Sequence, residues 1–596
     1  MRVPAFLFAL SFALPACAQT GPAAPRAGDN APDRRPAEQR LFAQAGGPVD
    51  PHAGVPGREP ERVVPVPALP LTKDILYKIL LAEVAGQRGN VRLSARAYVD
   101  LAQSTRDPRL ARRATEVALG GRLNDVAAEA ASVWLEIDPD SPQARQTLVS
   151  ALVGNNRVSE ARAPLRKMLA ADRARAAAVF LQLGPLLARQ SDRKAVLDLV
   201  RELAQPYATM AEARFAVAQA AAMADDATLA ESEVEEALRL RSDLEPAALL
   251  KAQVLQRTSL RRAADFLGAF AAAHPKAREA RMVHARLLAA DRRPAEAREA
   301  FKAIEREFPE NAELSVMIGL LSLQMHDFPQ AEVRLKRALE LNYRDPDTLR
   351  FYLGQITEEA GRLDEALQHY AEVRGGDQVA TAAGRFALIL ARRGQIDAAR
   401  GHLQSIEPQN ERQAAGLAQA EAQVLREAKL FREAFDVMEA ALSRQPDNAD
   451  LLYDSAMAAE KIDRLDLLES RLMRLIQLKP DHAQAYNALG YSLADRNLRL
   501  DEARGLIEKA LSLLPEDAFI LDSMGWVLFR QGRLEEGLEH LRRAHAQRPD
   551  PEISAHLGEV LWALGRKDEA EKLLRSALAA HPASTELQDV AGRLLK

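Results

Sequence analysis

The chain has 596 residues, 47% of them apolar but only 5% aromatic, with 80 Lys and Arg against 84 Asp and Glu and a single cysteine. So few aromatics exclude a conventional large core built on Phe, Tyr and Trp, and small and medium aliphatic side chains must do the packing. A net charge of −4 supplies no field for holding nucleic acid, and one cysteine excludes a disulfide framework and any cysteine-based zinc, haem or iron–sulfur site.

Residues 1–17, MRVPAFLFALSFALPAC, place one Arg ahead of an apolar run from Val3 to Leu14 that ends in small residues. The run is too short to anchor in a bilayer and has the order of a secretory signal, so the chain is expected to be exported. Its end, Leu14-Pro15-Ala16-Cys17, resembles the lipobox of bacterial lipoproteins, although Pro15 departs from the residue types usual there. That resemblance implies that Cys17 becomes the first mature residue and carries acyl chains, enough for stable anchoring. Ala18 in place of Asp implies sorting to the outer membrane, with the mature chain facing the periplasm. Ala16-Cys17-Ala18 also fits an ordinary A-x-A cleavage site, which would leave a soluble periplasmic chain beginning at Gln19.

Residues 18–71 hold eleven of the 32 prolines, six Arg against six acidic residues and few large apolar groups. Such a segment cannot bury enough surface to offset its ordering entropy and is expected to be a disordered tether with a reach of roughly 40 Å.

From about Lys73 onward, apolar residues recur at three- and four-residue spacing, broken by Gly, Asn, Asp or Pro, which predicts a succession of short amphipathic helices. The breaks are periodic. Prolines at 139, 206, 275, 309, 446, 480, 515, 549 and 582 are separated by near-multiples of 34 residues. In the clearest period, 518–549, Gly525 lies in a first helix, Gly532 at the turn, and Gly537 and Ala544 in a second. Small residues there let two antiparallel helices approach closely, while Leu521, Met524, Leu528, Leu534 and Leu541 fill the space between them. Leu557, Gly558, Gly565, Ala570 and Leu574 repeat the pattern, as do Leu489, Gly490, Ala503 and Ala510, and Gly319, Ala331 and Ala338.

The pattern resembles the tetratricopeptide repeat, a helix–turn–helix unit of 34 residues. It implies an all-α superhelical solenoid of about fifteen units, stabilised by stacking of neighbours. The repeats are expected to run through 72–411 and 412–596, degenerate over 145–270, with irregularities at Gly375-Gly376 and between Pro408 and Pro446. In this family, positions 5, 9 and 12 of a repeat line a concave groove for extended peptides or partner helices. Here they carry Asn487 and Tyr491; Asp522, Trp526 and Phe529; and Glu559 and Trp562. Trp526 and Trp562 are thus either groove anchors or core, and Trp134 is assigned to packing.

Motifs of local chemistry are missing: there is no G-x-S-x-G, no phosphate-binding loop, no H-E-x-x-H and no EF-hand loop. His540, His545 and His556 do not have the spacing that aligns two imidazoles for a metal, and the acidic run Glu231–Glu236 reads as a solvated helix face. No enzyme activity, metal, cofactor, nucleic acid or small-molecule substrate is therefore expected.

Residues 75–119 and 487–511 look like corresponding parts of a group of proteobacterial outer-membrane lipoproteins. The group includes the binding partner of a periplasmic carboxyl-terminal processing protease. The resemblance implies a non-catalytic adaptor that holds this serine protease and its envelope substrates near the outer membrane. The alternative is a scaffold of an envelope assembly machine, for exopolysaccharide export or outer-membrane protein assembly.

Overall fold

The computed structural model describes residues 67–170 and 173–595. The signal, Cys17 and most of the tether lie outside the described residues. Among those described there are thirty-one α-helices, α1 (Lys73–Gln87) to α31 (Thr585–Leu594), one 3-10 turn at Gln205–Tyr207 and no strand. This is the count that fifteen two-helix units and one terminal helix supply. The fold is all-α, a tetratricopeptide-repeat solenoid.

The 34-residue period is visible in the backbone itself. In the turn inside each helix pair from Pro346 onward one residue adopts a left-handed conformation, at Gly361, Gly394, Lys429, Asp463, Asn497, Gly532 and Gly565. Gly532, with φ of 81°, takes this conformation without the steric cost a Cβ would impose. The periodic prolines close each unit: Pro446, Pro480, Pro515, Pro549 and Pro582 each stand two residues beyond the end of a second helix, where chain continuation is blocked. Asp and Asn open the first helices. Asp517 caps α27 (Ala518–Arg530) by accepting from the Phe519 and Ile520 amides at 3.0 and 3.1 Å.

The small residues do what their spacing predicts. A Cβ on Gly525 would stand 2.9 Å from the carbonyl oxygen of Gly537 in α28 (Leu534–Gln547), so the two backbones are in contact. Leu521, Met524, Leu528 and Leu541 are buried around that contact, and Leu534 is half-buried. Gly490 approaches the carbonyl of Ala503 in the same way.

The chain divides into two compact units, Met1–Asp327 and Phe328–Lys596. In the first, the degenerate stretch is still helical, but α6 (Val158–Ala170) and α7 (Arg173–Leu187) carry Pro164 and Pro185 in their interiors. Each proline removes a backbone donor inside its helix. Trp134 is buried in α4 (Asn124–Ile137), in the packing role assigned to it. The acidic run on α10 (Ala227–Leu240) is compensated: Glu231, Glu233, Glu235 and Glu236 lie beside Arg262, Arg214, Lys251 and Arg239.

In the second unit the irregular stretches have a local form. Helices α18 (Leu363–Ala371) and α20 (Ile396–Gln404) have nine residues each, and α21 (Glu411–Glu427) has seventeen. Asp347 accepts from the Gly375 amide at 2.7 Å, and Gln413 donates to the Gly376 carbonyl at 3.0 Å. The core runs through the expected junction at 411–412, since Leu417 and Val424 of α21 pack with Ala383, Ala387 and Leu390 of α19 (Val379–Arg392).

Candidate functional site

Asn487, Tyr491, Asp522, Trp526, Phe529, Glu559 and Trp562 stand on three successive first helices, α25 (Ala483–Asp495), α27 and α29 (Pro551–Ala563). The 34-residue repeat sets these helices side by side, so residues about one period apart meet. Asp522 and His556 do so: the imidazole Nδ1 lies 3.0 and 3.1 Å from the two carboxylate oxygens, and both side chains are buried. Trp526 stacks on the same imidazole, with ring centroids 4.0 Å apart and planes 20° from parallel. Phe529 packs on Trp526 at 5.1 Å, and the Arg530 guanidinium stands 5.7 Å over the indole.

Tyr491 reaches further. Its hydroxyl donates to Glu552 at 2.6 Å, spanning 61 residues of sequence and linking α25 to α29 past α27. Burial, and then the adjacent Glu552 carboxylate, push the Tyr491 phenol well above its ordinary range. Burial pulls the His556 imidazole down, but the charge and hydrogen bond of Asp522, helped by Glu552 and Glu559, prevail and hold it above its ordinary value. Glu559 pairs with Arg593 of α31, and the Lys567 ammonium lies 5.1 Å over the half-buried Trp562 ring. Buried polar atoms without a hydrogen bond on these helices include the Trp526 indole N–H, the Arg530 Nε and the Asn487 amide oxygen.

The structure brings Tyr491, Asp522, Trp526 and Phe529 together around His556 and gives the two tryptophans different settings. Trp526 is only 6% exposed, and of its two readings the packing one fits this conformation, because His556 covers its face. Trp562 is accessible in part. His556 and Glu552 were not singled out for this face by the sequence. The signal that could have found His556 is its offset of 34 residues from Asp522.

A second surface lies on α1 and the residues just before it. Leu69 and Leu71 ahead of the helix and Leu76, Tyr77, Leu80 and Val84 on it are between 43% and 68% exposed, while Ala82 and Ala85 face inward. Leu76, Leu80 and Val84 follow one another at four-residue spacing and form a stripe. At the other terminal helix the outward residues are Thr585, Glu586, Gln588 and Asp589, with Leu587, Val590 and Ala591 turned in. Terminal elements of repeat arrays ordinarily present a polar outer face; of the first and last helices among the described residues, α31 does so and α1 does not.

This is a protein-binding repeat architecture, and the tetratricopeptide repeat family profile matches residues 254–312, 316–380 and 523–585. The chain is 32% identical over 491 residues to the TPR repeat-containing protein PA4667 of Pseudomonas aeruginosa, covering 82% of each chain. It belongs to the tetratricopeptide-repeat protein family that includes this relative. A shorter likeness, 29% identity over 177 residues, covers 27% of this chain and 23% of the human aspartyl/asparaginyl beta-hydroxylase. Among solved structures, a TPR protein of Thermus thermophilus is 24% identical with a TM-score of 0.28, covering 31% of this chain and 100% of that one. A tetratricopeptide repeat protein of Parabacteroides merdae is 14% identical with a TM-score of 0.34, covering 48% and 99%. Arrays of this repeat serve as scaffolds for protein–protein interaction.

Proposed function

We propose that the chain is a non-catalytic scaffold of the bacterial envelope that tethers a periplasmic serine protease and its substrates at the outer membrane. The observation that carries this reading is the apolar stripe on α1. It falls in residues 75–119, the segment that carries the resemblance to protease-binding lipoproteins, and it is the outer face that a self-sufficient array would make polar. A protease seated there would bury Leu76, Tyr77 and Leu80, leaving the rest of the array for substrates. Acylation of Cys17 would hold the complex at the membrane, and the tether would raise the local concentration of bound proteins, making weak substrate contacts useful. The test is affinity purification of the full mature chain from its own envelope fraction. Recovery of a carboxyl-terminal processing protease supports the proposal. Recovery of polymer-export or outer-membrane assembly components in its place assigns the scaffold to such a machine.

A further inference from the structure

We propose that the notch between α28 and α30 (Lys567–Ala580) binds a small, free anionic amphiphile, a carboxylate carried on a short acyl chain. Its walls are second helices, and only its floor comes from α29. The inference is independent of the scaffold reading.

A cavity of about 400 Å³ opens there, toward the lower end of the roughly 300–1,000 Å³ usual for small-molecule sites. Small residues make the space, because Ala546 on α28 and Ser576 on α30 leave room that longer side chains would fill. The floor is aliphatic: buried Leu557 and Leu561 stand one turn apart on α29, with half-buried Leu573 beside them. The rim is cationic. Arg542 of α28 reaches Glu569 of α30 at 2.6 Å, which neutralises the one carboxylate of the lining. Glu571 is held by Arg575 at 2.7 Å, so the exposed Lys572 between them is left without an ion pair among the described residues. Burial holds the His545 imidazole below its ordinary value, and near neutral pH it adds a donor without adding charge.

The charge of this notch is not a general property of the repeat. One unit earlier, on α26 (Leu500–Leu513) and α28, the equivalent helix positions hold Glu508 for Arg542, Glu539 for Lys572 and Arg543 for Ser576. The earlier pair thus carries two carboxylates where this pair carries two cations, and a long side chain where Ser576 is short. Lys572 and Ser576 lie four apart on α30 and share a face. A carboxylate between them accepts a charge-assisted hydrogen bond from the ammonium and another from the hydroxyl. Its alkyl chain then covers the leucines and removes apolar surface from water. A bare anion leaves the leucines wet, and a neutral alcohol leaves Lys572 without a counter-charge. No bond is made or broken, so the molecule is a ligand and not a substrate.

The experiment is isothermal titration calorimetry on the exported Cys17→Ala chain, free of acyl groups and detergent, with octanoate, octanol and acetate. Octanoate is expected to bind roughly tenfold or more tightly than either of the others. Lys572→Met, which keeps the stem and removes the charge, should bring octanoate to the level of octanol. Ala546→Trp, which fills the notch from an exposed position, should abolish binding at an unchanged thermal midpoint. Absence of octanoate binding, octanol bound as tightly as octanoate, or full octanoate binding by a folded Ala546→Trp chain each overturns the site. Flotation with phosphatidylglycerol vesicles separates the two sources of this chemistry. Octanoate binding without flotation is the expected result, and flotation that Ala546→Trp abolishes, with octanoate unbound, overturns the free molecule in favour of a bilayer lipid. Recovery of a protein partner by affinity purification is untouched by any of these results.

Discussion

Trp526 and His556 belong to different repeats, and the face of one ring covers the other at a centroid distance of 4.0 Å. With Asp522 bonded to the imidazole Nδ1, the three residues form a buried layer between α27 and α29. Truncating a buried Trp typically costs about 3–5 kcal/mol, the removed surface plus the cavity it leaves. Trp526→Ala should therefore lower the thermal midpoint of the second compact unit clearly, whereas Trp562→Ala, half-buried under Lys567, should lower it far less. Equal shifts for the two variants would mean that the stack contributes no more than the surface ring does.

The same layer makes stability depend on pH. His556 is raised above its ordinary value, near 6.5, so the folded state binds the proton more tightly than the unfolded state. The stabilisation is complete below about pH 6.5 and is lost as pH rises through the folded-state value. Burial alone would have produced the opposite sign. The groups facing the imidazole are Asp522 on α27 and Glu552 and Glu559 on its own helix, with Tyr491 of α25 at 6.1 Å ring to ring. Amide exchange in α27 and α29 should quicken as pH rises from 6 to 9, beyond the chemical exchange trend, and His556→Gln should abolish the excess. An excess that persists in His556→Gln places the titration elsewhere.

Close helix approach separates two glycines that look alike in sequence. At Gly525 a Cβ would meet the Gly537 carbonyl at 2.9 Å, and backbone cannot move aside; at Gly558 it would meet only the Leu574 side chain, at 2.7 Å. Overpacking typically costs about 1–3 kcal/mol, against which Ala gains up to about 1 kcal/mol in helix propensity. Gly525→Ala should thus lower the urea midpoint and Gly558→Ala should change it little. The reverse order would show that the α29–α30 pair, with α30 spanning Lys567–Ala580, is the tighter one.

Much of the fold was legible because the repeat writes each structural demand at a fixed offset. Pro after the second helix, Gly where the helices touch and Asp or Asn at the first cap each answer a local need, and Pro515, Gly525 and Asp517 can be read one at a time. The site was legible only in part. Register places Tyr491, Asp522 and Trp526 on successive first helices, but the pairing of Asp522 with His556 depends on what the next repeat supplies, and a histidine scanned for metal spacing does not announce a carboxylate one period away. The outward face of α1 was hidden for another reason: Leu76, Leu80 and Val84 have the spacing of a core stripe, and nothing in that spacing says that among the described residues no repeat stacks on it. The short α18 and long α21 escaped because a turn's position shifts helix lengths without changing the apolar pattern.

On the proposed lipoprotein reading, attachment to the membrane should depend on Cys17, the one cysteine of the chain, placed at the end of the proposed signal. Cys17→Ala should move the protein from the membrane fraction to the soluble fraction of the envelope. A wild-type protein that is already soluble, with its N-terminus at Gln19, would replace the lipoprotein reading with simple secretion.

The α1 stripe gives the sharpest test of where a partner docks. Leu76 and Leu80 are about half exposed and point away from the buried Ala82 and Ala85. Surface substitutions at such positions usually alter stability by no more than about 0.5 kcal/mol, whereas a residue at the centre of an interface can cost about 2 kcal/mol or more of binding. A charge placed in an apolar interface must also be desolvated without a partner, which adds to the loss. Leu76→Glu with Leu80→Glu is therefore expected to keep the helical circular dichroism and thermal midpoint of the wild type and to weaken capture of the proposed protease partner by roughly thirtyfold or more. Partner capture at wild-type strength by a folded double variant would remove α1 as the docking surface. A large fall in midpoint would show that the stripe is covered within the chain itself, and a partner would then have to be sought on the first helices of the later repeats.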